Sequence, residues 1–265
     1  MSLKKILKMF LPHGIIVMHR KYIDYKKKYK NKGFVFDVIF SVGSDCKPAY
    51  YLQKYGLRFY ANPLDWMTDY SLDTVVHLYQ TKFNDFFTDY VEDKQKSHQF
   101  IDIKNNIISI HYEDIGNNNR AFREKMKNRF GKMNKRLLRA NKICFISSRN
   151  EDIENFSNFL KEIGSIYSGK ITYINIRNNE ERDGIFLPFK HVKEKISKKL
   201  ELIEYEFNDV HPDGKDKNDN PHAWIGNFYL WDSIMKRFSI KMNFFSYLLM
   251  SDVQSTKRET VKIQN

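Results

Sequence analysis

The stretch Lys142 to Ile176, KICFISSRNEDIENFSNFLKEIGSIYSGKITYINI, decides the fold. It opens on KICFIS, a short apolar run with the character of a buried strand. Asp152 to Ile163 then reads as a helix, closed by Gly164. KITYINI, residues 170–176, alternates and reads as a second strand. Strand, helix and strand in that order predict a parallel crossover, because the chain must return to the same end of the sheet. Leu200 to Phe207 reads as a further strand. The expectation is an α/β fold: a three-layer domain whose mixed, largely parallel sheet is flanked by helices.

Working outward, Phe34 to Leu57 reads FVFDVIFSVGSDCKPAYYLQKYGL. Phe34 to Val42 is a buried strand, and Gly43-Ser44-Asp45 is a small polar turn. Cys46 follows at once, and Pro48 to Tyr55 is a helix closed by Gly56. Ser71 is the expected N-cap of a helix from Leu72 to Thr81. Gln99 to Ile103 and Ile107 to Tyr112 read as strands joined by a turn at Asn105-Asn106. Asn117 to Ala140 is a long helix that Gly131 is expected to bend. Asp209 to Pro221 reads as a long exposed loop, and Trp224 to Phe238 as a C-terminal helix.

The chain has 265 residues, enough for one large domain with a sizeable core. Two cysteines, Cys46 and Cys144, make no disulfide framework and suit a reducing compartment, so the expected location is cytoplasmic. No cysteine or histidine spacing suggests a metal site. Between Met1 and Lys32 stand ten Lys or Arg against one Asp, so this arm holds +9 of the net +13 and leaves +4 for the rest. That imbalance weighs against nucleic acid as partner of the whole domain. In the arm, Leu3, Ile6, Leu7 and Phe10 recur at helical spacing beside lysines. The run Ile15 to Met18 is too short to span a bilayer or to serve as a signal core. The arm is expected either to lie on an anionic membrane surface, at the inner membrane face, or to be a helix with a solvated lysine face. The expected divisions are a basic amphipathic arm over 1–32, one catalytic-type domain over 33–250 and a polar tail over 251–265.

A cysteine at the mouth of a helix is where a thiol becomes a thiolate, since free N–H groups and the helix dipole favour S⁻. Cys46 is therefore the candidate nucleophile, with a small buried residue as the alternative. A thiol nucleophile calls for a base. His111 stands at the end of a strand, where open α/β sheets place their sites, and His222 is second choice. Asp65, between apolar residues, is a candidate third member that would orient the imidazole, or else the N-cap of a helix beginning at Trp66. Asp114 is the local alternative. Ser44, Asp45 and Trp66 are candidate substrate-binding neighbours. Arg149, after the strand ending at Ser147, is placed to hold an anionic substrate or to form a surface ion pair.

These residues carry a resemblance. Ser41-Val42-Gly43-Ser44-Asp45-Cys46, Pro48-Ala49-Tyr50, Tyr55-Gly56-Leu57-Arg58, Pro63-Leu64-Asp65-Trp66 and His111-Tyr112 resemble a bacterial family of putative papain-like cysteine peptidases. The likeness extends more loosely through Ile143 to Arg149 and Trp224 to Trp231. It implies Cys46 as nucleophile and His111 as base, with Asp65, Glu113 or Asp114 as third member, and it makes a papain-like α+β fold the alternative architecture. The implied function is a cysteine hydrolase of peptidase or amidase type, acting on a small-molecule, glycan or peptide substrate without a cofactor. Two other functions compete. One is an acyltransferase on a bacterial surface polysaccharide, with a CoA thioester as donor near Arg58 or Arg149. The other is a non-enzymatic, membrane-associated interaction protein with a structural Cys46.

Overall fold

A computed structural model describes residues 13–29, 33–94, 96, 99–181, 190–215, 219–244 and 247. In chain order the elements are α1 (His13–Tyr29), β1 (Phe34–Phe36), β2 (Val38–Ser41), α2 (Lys47–Lys54), β3 (Met67–Thr68) and α3 (Leu72–Gln80). Then come β4 (Tyr90–Glu92), β5 (Phe100–Asp102), β6 (Ile107–Ser109), α4 (Asp114–Asn117) and α5 (Asn119–Leu137). β7 (Lys142–Ser147), α6 (Ile153–Ile166), β8 (Lys170–Asn178), β9 (Lys190–Lys195) and β10 (Leu200–Phe207) follow. α7 (Phe228–Met235) and β11 (Phe238–Ile240) close the series. The first residues of the arm, His98 and the tail from 251 onward lie outside the described residues.

The chain divides into two compact units, Phe36–Lys236 and a smaller one formed by Met1–Val35 with Arg237–Asn265. In the smaller unit the Tyr25 hydroxyl donates to the Met242 carbonyl at 2.6 Å, and the Ser239 hydroxyl donates to the Tyr29 carbonyl at 2.9 Å. Phe34 N–H donates to the Arg237 carbonyl at 3.0 Å.

The larger unit is mixed α/β. Its main sheet has the order β2-β7-β8-β10-β9, with the first four strands parallel and β9 antiparallel to β10. β7 is buried from Ile143 to Ser147, the unbroken apolar run that a central parallel strand requires because helices cover the sheet. α6 buries Phe156, Phe159, Leu160 and Ile163, at the spacing of one helical face. The stretch 142–176 is thus the crossover its sequence predicts. A second sheet, β3-β6-β5-β4, is antiparallel throughout. It shares the core cluster with α3, α5 and the main sheet, where Tyr79, Phe83, Phe86, Phe87, Phe122 and Phe130 meet ring to ring.

Five local expectations differ from the structure, and the first is that the strand read over Phe34 to Val42 is divided at Asp37 into β1 and β2. α6 continues past Gly164 to Ile166, since a Cβ at Gly164 would lie 2.9 Å from Leu200 Cδ2. This glycine makes room for the neighbouring strand instead of ending the helix. The long helix is broken at Asn118, whose side chain accepts the Ala121 N–H at 3.1 Å, and it runs unbroken through Gly131. The C-terminal helix is preceded by a separate 3₁₀ turn, Ala223–Ile225, because Gly226 takes φ +69°. The segment from Asp209 is not an exposed loop throughout: Asp209, His211 and Asn220 are buried.

Candidate functional site around Cys46

β2 delivers the chain to the carboxyl edge of the main sheet, where Val42 N–H still bonds to the Ile146 carbonyl at 2.9 Å. The chain then turns at Gly43. A Cβ there would sit 2.8 Å from Pro48 Cγ, so only glycine lets the turn fold back on the first turn of α2. Asp45 Oδ1 accepts the Lys47 N–H at 2.9 Å, and the Ser148 hydroxyl lies 2.9 Å from both carboxylate oxygens. Asp45 thereby does the capping work that Cys46, the residue at the cap position, does not. Ser44 Oγ reaches the Ser148 carbonyl at 3.4 Å, and the Ser44 carbonyl accepts the Asp69 N–H at 3.0 Å.

Cys46 is 8% exposed. Its thiol is pushed up to about 12, chiefly by burial and further by the charges of Asp45 and Asp65. The helix mouth predicts a thiolate, but the shift favours the protonated thiol. Desolvation and two neighbouring carboxylates outweigh the dipole of an eight-residue helix. Among the described residues no hydrogen bond joins Cys46 Sγ to an imidazole. Cys144, inside β7, is 1% exposed and its thiol is raised well above normal by burial alone.

Asp65 is fully buried and accepts Arg58 Nε at 2.6 Å and the Asn62 N–H at 2.8 Å. Burial drives its carboxyl upward, while the guanidinium of Arg58 and, beyond it, Arg129 pull it down. No helix begins at Trp66. Instead β3 starts at Met67 and pairs with β6, Met67 opposite Ser109. That pairing carries Trp66 to His111: the rings meet edge to face, with centroids 5.7 Å apart at 81°. Arg58 also lies 5.6 Å over the Trp66 ring. His111 stands two residues beyond the end of β6, is exposed, and has its pKa lowered by partial burial. No hydrogen bond joins it to Asp65, Glu113 or Asp114 among the described residues.

Arg149 is not at the surface. It is 4% exposed, donating from Nε to the Val42 carbonyl at 3.1 Å and from Nη1 to the Tyr70 carbonyl at 2.8 Å and to Glu151 at 2.6 Å. Its place is beneath the cysteine turn, pinning the ends of β2 and β3. His222 caps the 3₁₀ turn and is exposed.

The loop after β10 supplies what sequence reading missed. Asp209 Oδ2 pairs with Lys47 Nζ at 2.5 Å, while Oδ1 accepts Asn227 N–H and Trp231 Nε1, both at 2.9 Å. Trp231 stacks on Tyr51 at 4.4 Å and 3°, and the Tyr51 hydroxyl donates to the Ile225 carbonyl at 3.1 Å. Asp209, Ile225 and Trp231 therefore hold the helix that follows the cysteine. The signal was present in the sequence, as an aspartate in a polar loop just ahead of a tryptophan-containing helix. A polar loop reads as solvent-exposed unless its partner is known. His211 is buried too, its Nδ1 2.8 Å from Asn220 Nδ2.

Among the described residues no three His, Cys, Asp or Glu side chains group to hold a metal ion, and no helix is long and apolar enough to cross a membrane. A family model described as "Putative papain-like cysteine peptidase" matches residues 37–172. No curated protein and no solved structure matches the chain.

Proposed function

This chain belongs to the family of putative papain-like cysteine peptidases, and from that premise we propose that it is a thiol hydrolase of amide bonds, with Cys46 as nucleophile and His111 as base. One observation carries the reading. The β3–β6 pairing and the Trp66–His111 contact gather the Asp65-Trp66 and His111 segments, and the Asp69–Ser44 bond ties them to the cysteine turn. The Cys46 thiol is protonated and the His111 imidazole is held toward its neutral form, so the pair begins as thiol and free base. A bound substrate would exclude water while His111 takes the thiol proton and sulfur attacks the carbonyl carbon. The Cys46 N–H helps hold the oxyanion. The imidazolium returns its proton to the leaving amine as the carbon–nitrogen bond breaks, and water then hydrolyses the thioester to a carboxylic acid and free thiol.

Incubating the protein with a mixed peptide library and reading new termini by mass spectrometry tests this. Cleavage that disappears in both Cys46→Ala and His111→Gln is expected. Cleavage that persists in Cys46→Ala overturns the assignment. A thioester donor in place of the amide would turn the same pair to acyl transfer, and a rise in melting temperature with CoA would favour that. The thiol raised to about 12 favours one other reading, a structural Cys46 in a non-enzymatic protein. An absence of cleavage from wild type, together with unfolding of Cys46→Ala, would select it.

A further inference from the structure

α5 carries eight Lys or Arg against one Glu. Four of the cations, Lys125, Arg129, Lys132 and Arg136, follow at steps of four, three and four, so they line one face. This face abuts the site. Arg129 Nη1 donates to the Tyr112 hydroxyl at 2.8 Å, next to His111, and its guanidinium lies 5.7 Å over the same ring. Lys125 lies 5.5 Å over Tyr112 from the same helix, and Arg136 lies 4.8 Å over Tyr60, two residues from Arg58. Among the described residues, Lys125 alone in the row holds a carboxylate in contact, Asp114 at 3.0 Å. Lys132 is exposed and has no ion-pair partner among the described residues. Like charges three and four apart oppose a helix by a few tenths of a kcal/mol per pair. An uncompensated row of them is the footprint of an anionic partner.

We propose that the Lys125–Arg136 row is the binding track for an acidic peptide segment leading to Cys46. This deepens the hydrolase reading and rests on it for what the bound segment undergoes. Eleven helical steps span about 16 Å, the reach of roughly five extended residues at about 3.3 Å each. A peptide fits better than a nucleic acid or glycan, because the aromatic rings beside the row, on which bases or sugars would stack, already carry Arg or Lys over them. The carboxylates of the site itself, part-buried Asp45 and buried Asp65, are held by internal partners, so the cations face the incoming chain.

The test is binding of fluorescein-labelled acetyl-pentaglutamate amide to the full chain, read by anisotropy at low and moderate salt. Wild type should bind it in preference to pentalysine, more weakly as salt rises. Lys132→Glu/Arg136→Glu should weaken binding at least tenfold, and Lys132→Gln/Arg136→Gln by an intermediate amount. Lys127→Glu, on the opposite face of α5, should change it less than twofold. Equal loss in Lys127→Glu, no loss in the double variants, or tighter row-dependent binding of heparin or single-stranded DNA would overturn the proposal. Cys46→Ala should bind normally. If that variant binds but peptide cleavage does not depend on Cys46, the track stands and the hydrolase reading falls.

Discussion

At the scale of the residue, Cys46 is governed first by burial and then by its two carboxylate neighbours. Its folded pKa of about 12 lies above the ordinary value of 9.0. Between those values the unfolded chain loses its proton first, so stability that Cys46 contributes below pH 9 is lost as pH rises toward 12. Iodoacetamide labelling of the native protein should therefore reach its midpoint well above pH 9, and labelling in denaturant near 9. Asp45→Asn keeps one carbonyl oxygen to accept from the Lys47 N–H and the Ser148 hydroxyl while removing one repulsive charge. It should speed Cys46 labelling at pH 9 several-fold, and an unchanged rate would mean burial alone sets the thiol. Arg149 gives a second prediction. Lysine cannot fork between the Val42 and Tyr70 carbonyls, so Arg149→Lys should cost about 2 kcal/mol in urea unfolding. A substrate-holding arginine at the surface would leave stability unchanged. The turn before Cys46 and the helix after it were legible in the sequence because turn chemistry is local. The burial of Arg149 was not, since what surrounds a side chain after a strand depends on segments distant in sequence.

At the scale of the element, the strand–helix–strand core was readable because periodicity and β-branched content are properties of the segment itself. Ser71 was likewise readable as a cap, and it accepts the Thr74 N–H at 3.1 Å. Ser71→Ala should lower stability by about 1 kcal/mol, read by urea unfolding. Glycines were read less well. Gly164 has the composition of a helix stop and acts as a space for Leu200. Gly226 combines φ +69° with a would-be Cβ 2.2 Å from Asp209 Oδ1. Gly226→Ala must strain the backbone and displace the carboxylate that holds Lys47 and Trp231. A loss of more than about 2 kcal/mol is expected, measured by the same unfolding. The cationic row on α5 was hidden by bookkeeping: the arm's +9 dominated the total, and acidic residues elsewhere masked the helix.

At the scale of the whole molecule, charge sits in two places, the arm and α5. Helix α1 exposes Ile15, Met18 and Tyr22, spaced so that they share a face, with basic residues around them. Such a face suits the interfacial arm that the sequence suggests. Ile15→Asp/Met18→Asp should lower co-sedimentation with anionic vesicles at least fivefold, and equal sedimentation would make the arm a solvated helix.

The family match ends at residue 172, yet the helix following Cys46 leans on Asp209, Ile225 and Trp231. On the ribosome Cys46 is thus made well before the residues that mount it. The thiol leaves the exit tunnel long before its supports are synthesised, and its setting closes only when the chain through Trp231 has emerged. Contacts so far apart in sequence make that last step slow to form. A nascent or prematurely terminated chain would carry a cysteine that is exposed, of ordinary acidity and without its mounting.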